Sequence, residues 1–220
     1  MGEQELQKQA LEDNLGDKVF KEELNEEALK ICLEDPEFKA YFAYKLKEKG
    51  NKGKEALESL KNGLSPDEKT SYTICTIYNA TGSDLKLYKS NDFNGKEVTH
   101  FPQTLANGQW AAVLHEGVEG SSAAVIYEGK NKDGEDCAWL HAWENGHGTT
   151  RVLTEIKHPD HYHVDNWKAI ENSIEHSGRG PSSDMGCYCE ASSMREKIGG
   201  NTYIYSGVMT LKWCFPENAY

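Results

Sequence analysis

T-I-C-T-I-Y-N-A-T-G (residues 73–82), L-A-N-G-Q-W-A-A-V-L-H (105–115), S-S-A-A-V-I-Y-E-G-K-N-K-D-G-E-D (121–136) and A-W-L-H-A-W (138–143) decide the fold. Each is a short apolar run, and clusters of Gly, Asn and Asp separate them, which is the pattern of an antiparallel sheet. Tyr72, Ile74, Thr76 and Tyr78 alternate with Thr73, Cys75 and Ile77, the period of a half-buried strand. Leu85-Lys86-Leu87-Tyr88 reads as a second strand, and Asn94-Gly95 and Asn107-Gly108 are turn dipeptides. Gln109–His115 and Ala123–Tyr127 carry little polar content, which places them centrally. Thr202–Tyr205, Val208–Trp213 and Tyr188–Ser192 complete the set. Roughly eight strands at intervals of about 10–20 residues argue for a sandwich or barrel rather than βαβ units.

Outward from this block, residues 1–66 read as a helical region. Asn25 caps a segment from Glu26 to Glu34, and Asp35-Pro36 opens a second helix. That helix carries Phe38, Tyr41, Phe42 and Leu46 as one apolar stripe and ends near Gly50. A shorter helix, Lys54–Asn62, places Ala56, Leu57 and Leu60 on one side. Such short helices need something to pack on, either the sheet domain or a partner protein. Residues 144–187, rich in His, Gly, Asn and Asp, read as an irregular loop region with a short helix capped at Asp165. The expected fold class is therefore α+β: helices over 1–66, then an antiparallel β-sandwich over 71–220.

The net charge of −12 over 220 residues repels phosphate backbones and anionic membrane surfaces, so nucleic acid is excluded as a partner class. A neutral lipid or sterol headgroup is not. The first residues lack an apolar signal core, and no apolar run has the length of a transmembrane segment. A cytoplasmic chain is expected, with its six cysteines as reduced thiols and the Asn79-Ala80-Thr81 sequon idle. A processed, secreted chain would reverse both readings.

Three constellations could carry chemistry. In His158-Pro159-Asp160-His161-Tyr162-His163-Val164-Asp165, a strand would put His161 and His163 on one face. They could then share Zn²⁺, Cu²⁺ or Fe²⁺, with His158 or Asp165 as a further ligand, and support a metal-dependent enzyme. The simpler reading is a polar loop. Cys187-Tyr188-Cys189 spaces two thiols for a soft metal, but without the second pair of a zinc finger it reads as ordinary buried thiols. Trp139, His141 and Trp143 share one face of a strand, opposite Ala138, Leu140 and Ala142. They form either an open platform for a glycan, lipid headgroup or small metabolite, or a core filling. Nucleotide-binding, serine-hydrolase and HExxH signatures are absent from the sequence.

The strings N-G-Q-W-A-A-V-L-H and A-A-V-I-Y-E-G-K-N resemble the plant 23 kDa jasmonate-induced proteins. The resemblance covers residues 71–143 and extends to the final strands. It implies a plant origin, expression under jasmonate or osmotic stress, a defence setting and a cytosolic location. It supplies no catalytic residues. The sheet pattern is also similar to the β-sandwiches of actinoporins and aegerolysins, which bind lipid headgroups. The functional expectation is a non-enzymatic binding module.

Overall fold

The computed structural model describes residues 35–64, 69–146, 148–163, 166–176, 181–196 and 201–214. The expected helix Glu26–Glu34, the linker Ser65-Pro66 and Asp165 lie outside them. Helix α1 (Pro36–Leu46) and helix α2 (Lys52–Asn62) come first, joined by a short 3₁₀ turn. Eleven strands follow: β1 (Thr70–Ala80), β2 (Leu85–Asn94), β3 (Lys96–Glu97), β4 (Thr104–Leu105), β5 (Trp110–Val118), β6 (Gly120–Lys130), β7 (Asp136–Gly146), β8 (Thr149–Lys157), β9 (Ser182–Asp184), β10 (Cys187–Arg195) and β11 (Thr202–Leu211). Helix α3 (Trp167–His176) lies between β8 and β9.

The strands form two sheets in the orders β3-β5-β1-β11-β10-β9 and β4-β2-β6-β7-β8. All pairs are antiparallel except β1 with β11, which run parallel with Tyr72 opposite Thr202 and Ala80 opposite Thr210. Parallel neighbours need a long crossover, and here the whole second sheet lies within it. The expected two-sheet sandwich is therefore present, mostly antiparallel. Period-two alternation aims Cys75, Ile77, Val113, Val125, Tyr127, Trp139, Trp143 and Tyr205 into one core between the sheets.

Helices pack on both outer faces. Ala56 and Leu60 of α2 pack on Ile74, Ala112 and Leu114, while Ala43 and Tyr44 of α1 pack on Tyr78, Ala80, Trp110 and Val208. The sheet grips α1 through backbone carbonyls, since Tyr78 donates its hydroxyl to Ala43 O (2.8 Å) and Trp110 donates Nε1–H to Lys47 O (3.2 Å). The stripe expected to dock is not the one that does. Ala40 and Ala43 face the sheet, and Phe38 and Tyr41 remain 37% and 42% exposed. The helix therefore docks through Ala40, Ala43 and Tyr44, with Tyr78 and Trp110 of the sheet packed against it. On the other face, Tyr162, Ile170 and Ile174 cover Ala124, Ile126, Ala138, Leu140 and Ala142.

Residues 144–157 are not irregular, as the sequence had suggested. β7 runs on to Gly146, and β8 pairs with it from Ala138–Lys157 to Gly146–Thr149. Val152, Thr154 and Ile156 are its buried alternate residues.

Candidate functional site

Trp139, His141 and Trp143 point into the sandwich interior, each 0% exposed. The opposite face, Ala138, Leu140 and Ala142, is sealed by α3 and Tyr162. The expected open platform is thus a core filling, because a central strand with a helix-covered outer face has no free side. Within it, His141 Nδ1 meets the Tyr205 hydroxyl at 2.7 Å and Nε2 meets Cys189 Sγ at 3.3 Å. Burial lowers the His141 pKa to about 3.

A polar network continues the interior toward one end. Ser121 Oγ lies 2.8 Å from His115 Nδ1, and His115 Nε2 lies 3.3 Å from Asp92 Oδ1. That order of carboxylate, imidazole and hydroxyl resembles a nucleophilic triad. Its donors run the other way. Ser121 donates its hydroxyl proton to Thr73 Oγ1 (2.7 Å), so His115 Nδ1–H is the donor toward Ser121. His115 Nε2 is left without a hydrogen-bond partner beside the carboxylate. Ser121 also accepts from Trp143 Nε1 at 3.3 Å and is 1% exposed, so its hydroxyl is not presented to solvent. The network is structural, and Asn145 extends it from Thr73 (3.1 Å) to Ser193 (2.7 Å).

The histidine run is not a strand. His158 is extended before Pro159, which opens a 3₁₀ turn over Pro159–Tyr162. At three residues per turn, positions i and i+3 share a side and positions two apart diverge. Asp160 Oδ1 accordingly accepts from His163 Nε2 at 2.9 Å. His161 turns instead toward Glu155 Oε1 (3.7 Å), and His158 Nδ1 accepts the Asp160 backbone N–H (3.3 Å) as the turn's cap. His158 and His163 thus share Asp160, whose Oδ2 lies 3.3 Å from His158 Nδ1, while His161 faces Glu155. Among the described residues no group of three or more His, Cys, Asp or Glu side chains is gathered for a metal.

What the turn builds is an open cleft of about 470 Å³ against the outer face of β2 and β6. A β-bulge between Leu87 and Lys89 re-aims the strand at Tyr88. Tyr88 donates its hydroxyl to His163 Nδ1 at 2.6 Å, the acceptor left when Nε2–H is given to Asp160. Lys89 locks the same turn by donating to Tyr162 O at 2.9 Å, and its ammonium lies 5.6 Å from the Tyr88 ring centre. Charges of both signs surround the phenol. Lys86 and Glu128 are cross-strand neighbours, and Lys130 pairs with Asp136 at 2.6 Å. The Lys130 hydrogen bond lowers the Asp136 pKa. Desolvation, then Glu128 and Asp160, raise that of Tyr88, so the phenol stays protonated.

Of the expected site residues, the cleft takes in His158 and His163 and leaves out the Trp139 group. Tyr88, Lys86, Lys130 and Asp136 were not singled out from the sequence. The alternation of Leu85-Lys86-Leu87-Tyr88 did contain the signal, since it puts Lys86 and Tyr88 opposite the core-facing leucines.

A helix-flanked β-sandwich with an open polar cleft on one outer face defines the class. The chain belongs to the Nakanori-like protein family, whose sequence model matches residues 30–211. It is 39% identical over 106 residues to the 23 kDa jasmonate-induced protein of Hordeum vulgare, covering 44% of this chain and 50% of that protein. It is 32% identical over 73 residues to a jasmonate-induced protein homolog of Atriplex canescens, covering 32% and 40%. The match spans half or less of the length of these curated relatives, and it shows the jasmonate-induced kinship expected from the strings at 107–115 and 123–131. The crystal structure of the lipid binding protein Nakanori superposes with a TM-score of 0.64 at 18% identity, covering 89% of this chain and 93% of that one. At that identity the likeness establishes a common fold.

Proposed function

We propose that the protein is a non-enzymatic binding module of the stress response, resident in the cytoplasm, that takes the headgroup of a zwitterionic lipid in the Tyr88–His163 cleft. The observation that carries this reading is the arrangement around Tyr88. A phenol fixed by the His163–Asp160 relay stands among Lys86, Lys130, Glu128 and Asp136 in a 470 Å³ concavity. Ammonium groups on the strands suit a phosphate, and the carboxylates with the aromatic ring suit a quaternary amine. The fold shared with a lipid binding protein agrees with it. A neutral, hydrogen-bonded Tyr88 serves as a recognition group rather than a nucleophile.

Co-sedimentation of the full chain with phosphatidylcholine vesicles and with uncharged galactolipid vesicles tests the proposal. Binding to the first alone, lost in Tyr88→Ala at unchanged melting temperature, is the expected result. Equal binding to both vesicles, or undiminished binding by Tyr88→Ala, overturns it.

A further inference from the structure

We infer that Cys137 and Cys187 are an oxidisable dithiol that hydrogen peroxide closes into a disulfide between the two sheets. The inference does not rest on what the cleft binds. Cys137 stands at the start of β7 in one sheet and Cys187 at the start of β10 in the other, and their Sγ atoms are 3.4 Å apart. A disulfide holds its sulfurs about 2 Å apart, so closure needs a shift of about 1.4 Å, within reach of side-chain rotation and slight strand movement. Cys189, two residues on, faces His141 Nε2 at 3.3 Å instead. The remaining described cysteines, Cys75 and Cys214, are buried and unbridged.

The two thiols are unequal. The Cys187 S–H bond to Cys137 lowers the Cys137 pKa, while that same bond and burial raise the Cys187 pKa. Cys137 is therefore the attacking sulfur. Its thiolate takes one peroxide oxygen, the O–O bond breaks, and the departing hydroxide leaves as water with the Cys137 proton. Cys137 becomes a sulfenic acid. The Cys187 sulfur then attacks the sulfenic sulfur, the S–S bond forms and the S–O bond breaks. A second hydroxide leaves as water with the Cys187 proton. Two thiols lose two electrons in total, and one peroxide is reduced to two waters.

Both cysteines are buried, but the cover is thin. Cys137 follows the exposed Asp136, and half-buried Met185 lies over it with Sδ 4.0 Å from Cys137 Sγ. Met185 and Gly186 form a tight turn at φ 51° and 72°, with Ser182–Asp184 paired to Cys187–Cys189 on either side of it. A swing of the Met185 side chain admits a molecule as small as peroxide. The resulting bond would tie β7 to β10 directly behind Asp136, one wall of the cleft.

The test is stoichiometric peroxide on the full chain, alkylation of residual thiols, and peptide mapping under non-reducing conditions. The expected product is a linked Cys137–Cys187 peptide pair, with a melting temperature raised by several degrees and restored by dithiothreitol. Cys189→Ser should keep the link, and Cys187→Ser should leave Cys137 as a dimedone-reactive sulfenic acid. A Cys187–Cys189 link, a link between chains, or over-oxidised Cys137 with no cross-link in the wild-type chain overturns the inference, and that readout needs no variant to fold.

Discussion

His141 and Tyr205 meet across the middle of the sandwich, an imidazole from the second sheet 2.7 Å from a phenol of the first, and neither side chain reaches solvent. The unfolded imidazole takes a proton near pH 6.5, its ordinary value, and the folded one only near 3. Between those values the unfolded chain holds more protons, so acid favours unfolding. Stability from this group is whole above pH 6.5 and falls with a slope approaching about 1.4 kcal/mol per pH unit as the pH drops toward 3. Urea unfolding of wild type and His141→Gln from pH 8 to pH 4 should show a shallower acid loss in the variant; parallel curves would contradict the assignment.

Gly207 of β11 makes room for that ring. A Cβ there would sit 2.5 Å from His141 Cε1 and 2.6 Å from Nδ1. Gly207→Ala should therefore destabilise the fold by about 1–3 kcal/mol, because the imidazole is held on both nitrogens and cannot withdraw. Denaturant midpoints measure this directly. Gly148→Ala is no fair control despite open space around it, since its φ is 81°.

Leu60 decides whether the helices are an arm or a layer. It is 1% exposed and packs with Ile74, Ala112 and Leu114. Leu60→Ala should cost about 2–5 kcal/mol in global unfolding monitored by the tryptophans of the sandwich. A loss confined to helical signal, with the sheet transition unmoved, would make α2 an independent appendage.

Tyr88→Phe separates recognition from packing. It removes the hydroxyl given to His163 and keeps the ring. Melting temperature should shift little, since the pair is largely exposed, while vesicle affinity falls several-fold through loss of the positioned ring. Affinity equal to wild type would leave the hydroxyl without a role.

Among the described residues no three ligating side chains converge at the turn, His158 and His163 sharing Asp160 while His161 faces Glu155, so removing transition metal should not move stability. Dialysis against a chelator is expected to leave the melting temperature unchanged. Near-stoichiometric zinc, copper or iron in protein purified without a metal-affinity tag would refute this.

Much of the architecture is legible because its causes are local. The alternation at Tyr72–Tyr78 and the apolar runs at 109–115 and 123–127 follow from where each side chain must go once strands pair. β8 escaped because its polar alternate residues, Arg151 and Glu155, sit amid a histidine-rich composition that reads as loop, while only Val152, Thr154 and Ile156 carry the buried period. The strand alternative for the histidine run fails for a related reason, and the polar-loop reading needs none. A spacing of two means one face only in extended backbone, and Pro159 starts a 3₁₀ turn instead. The aromatic stripe of α1 is not the docking side: Ala40, Ala43 and Tyr44 are buried, while Phe38 and Tyr41 stay exposed.

The sequence by itself determined that strands form, which residues alternate, and that their greasy sides close into a single interior, because burial of apolar surface acts residue by residue along the chain. Only the tertiary structure decided what lies outside that interior and which distant side chains meet. A helix covers the back of Trp139 and Trp143, and a bulge, a turn and two neighbouring strands bring Tyr88 to His163 and Cys137 to Cys187. Those meetings join residues separated by 75 and 50 positions, and no local preference encodes a contact at such range.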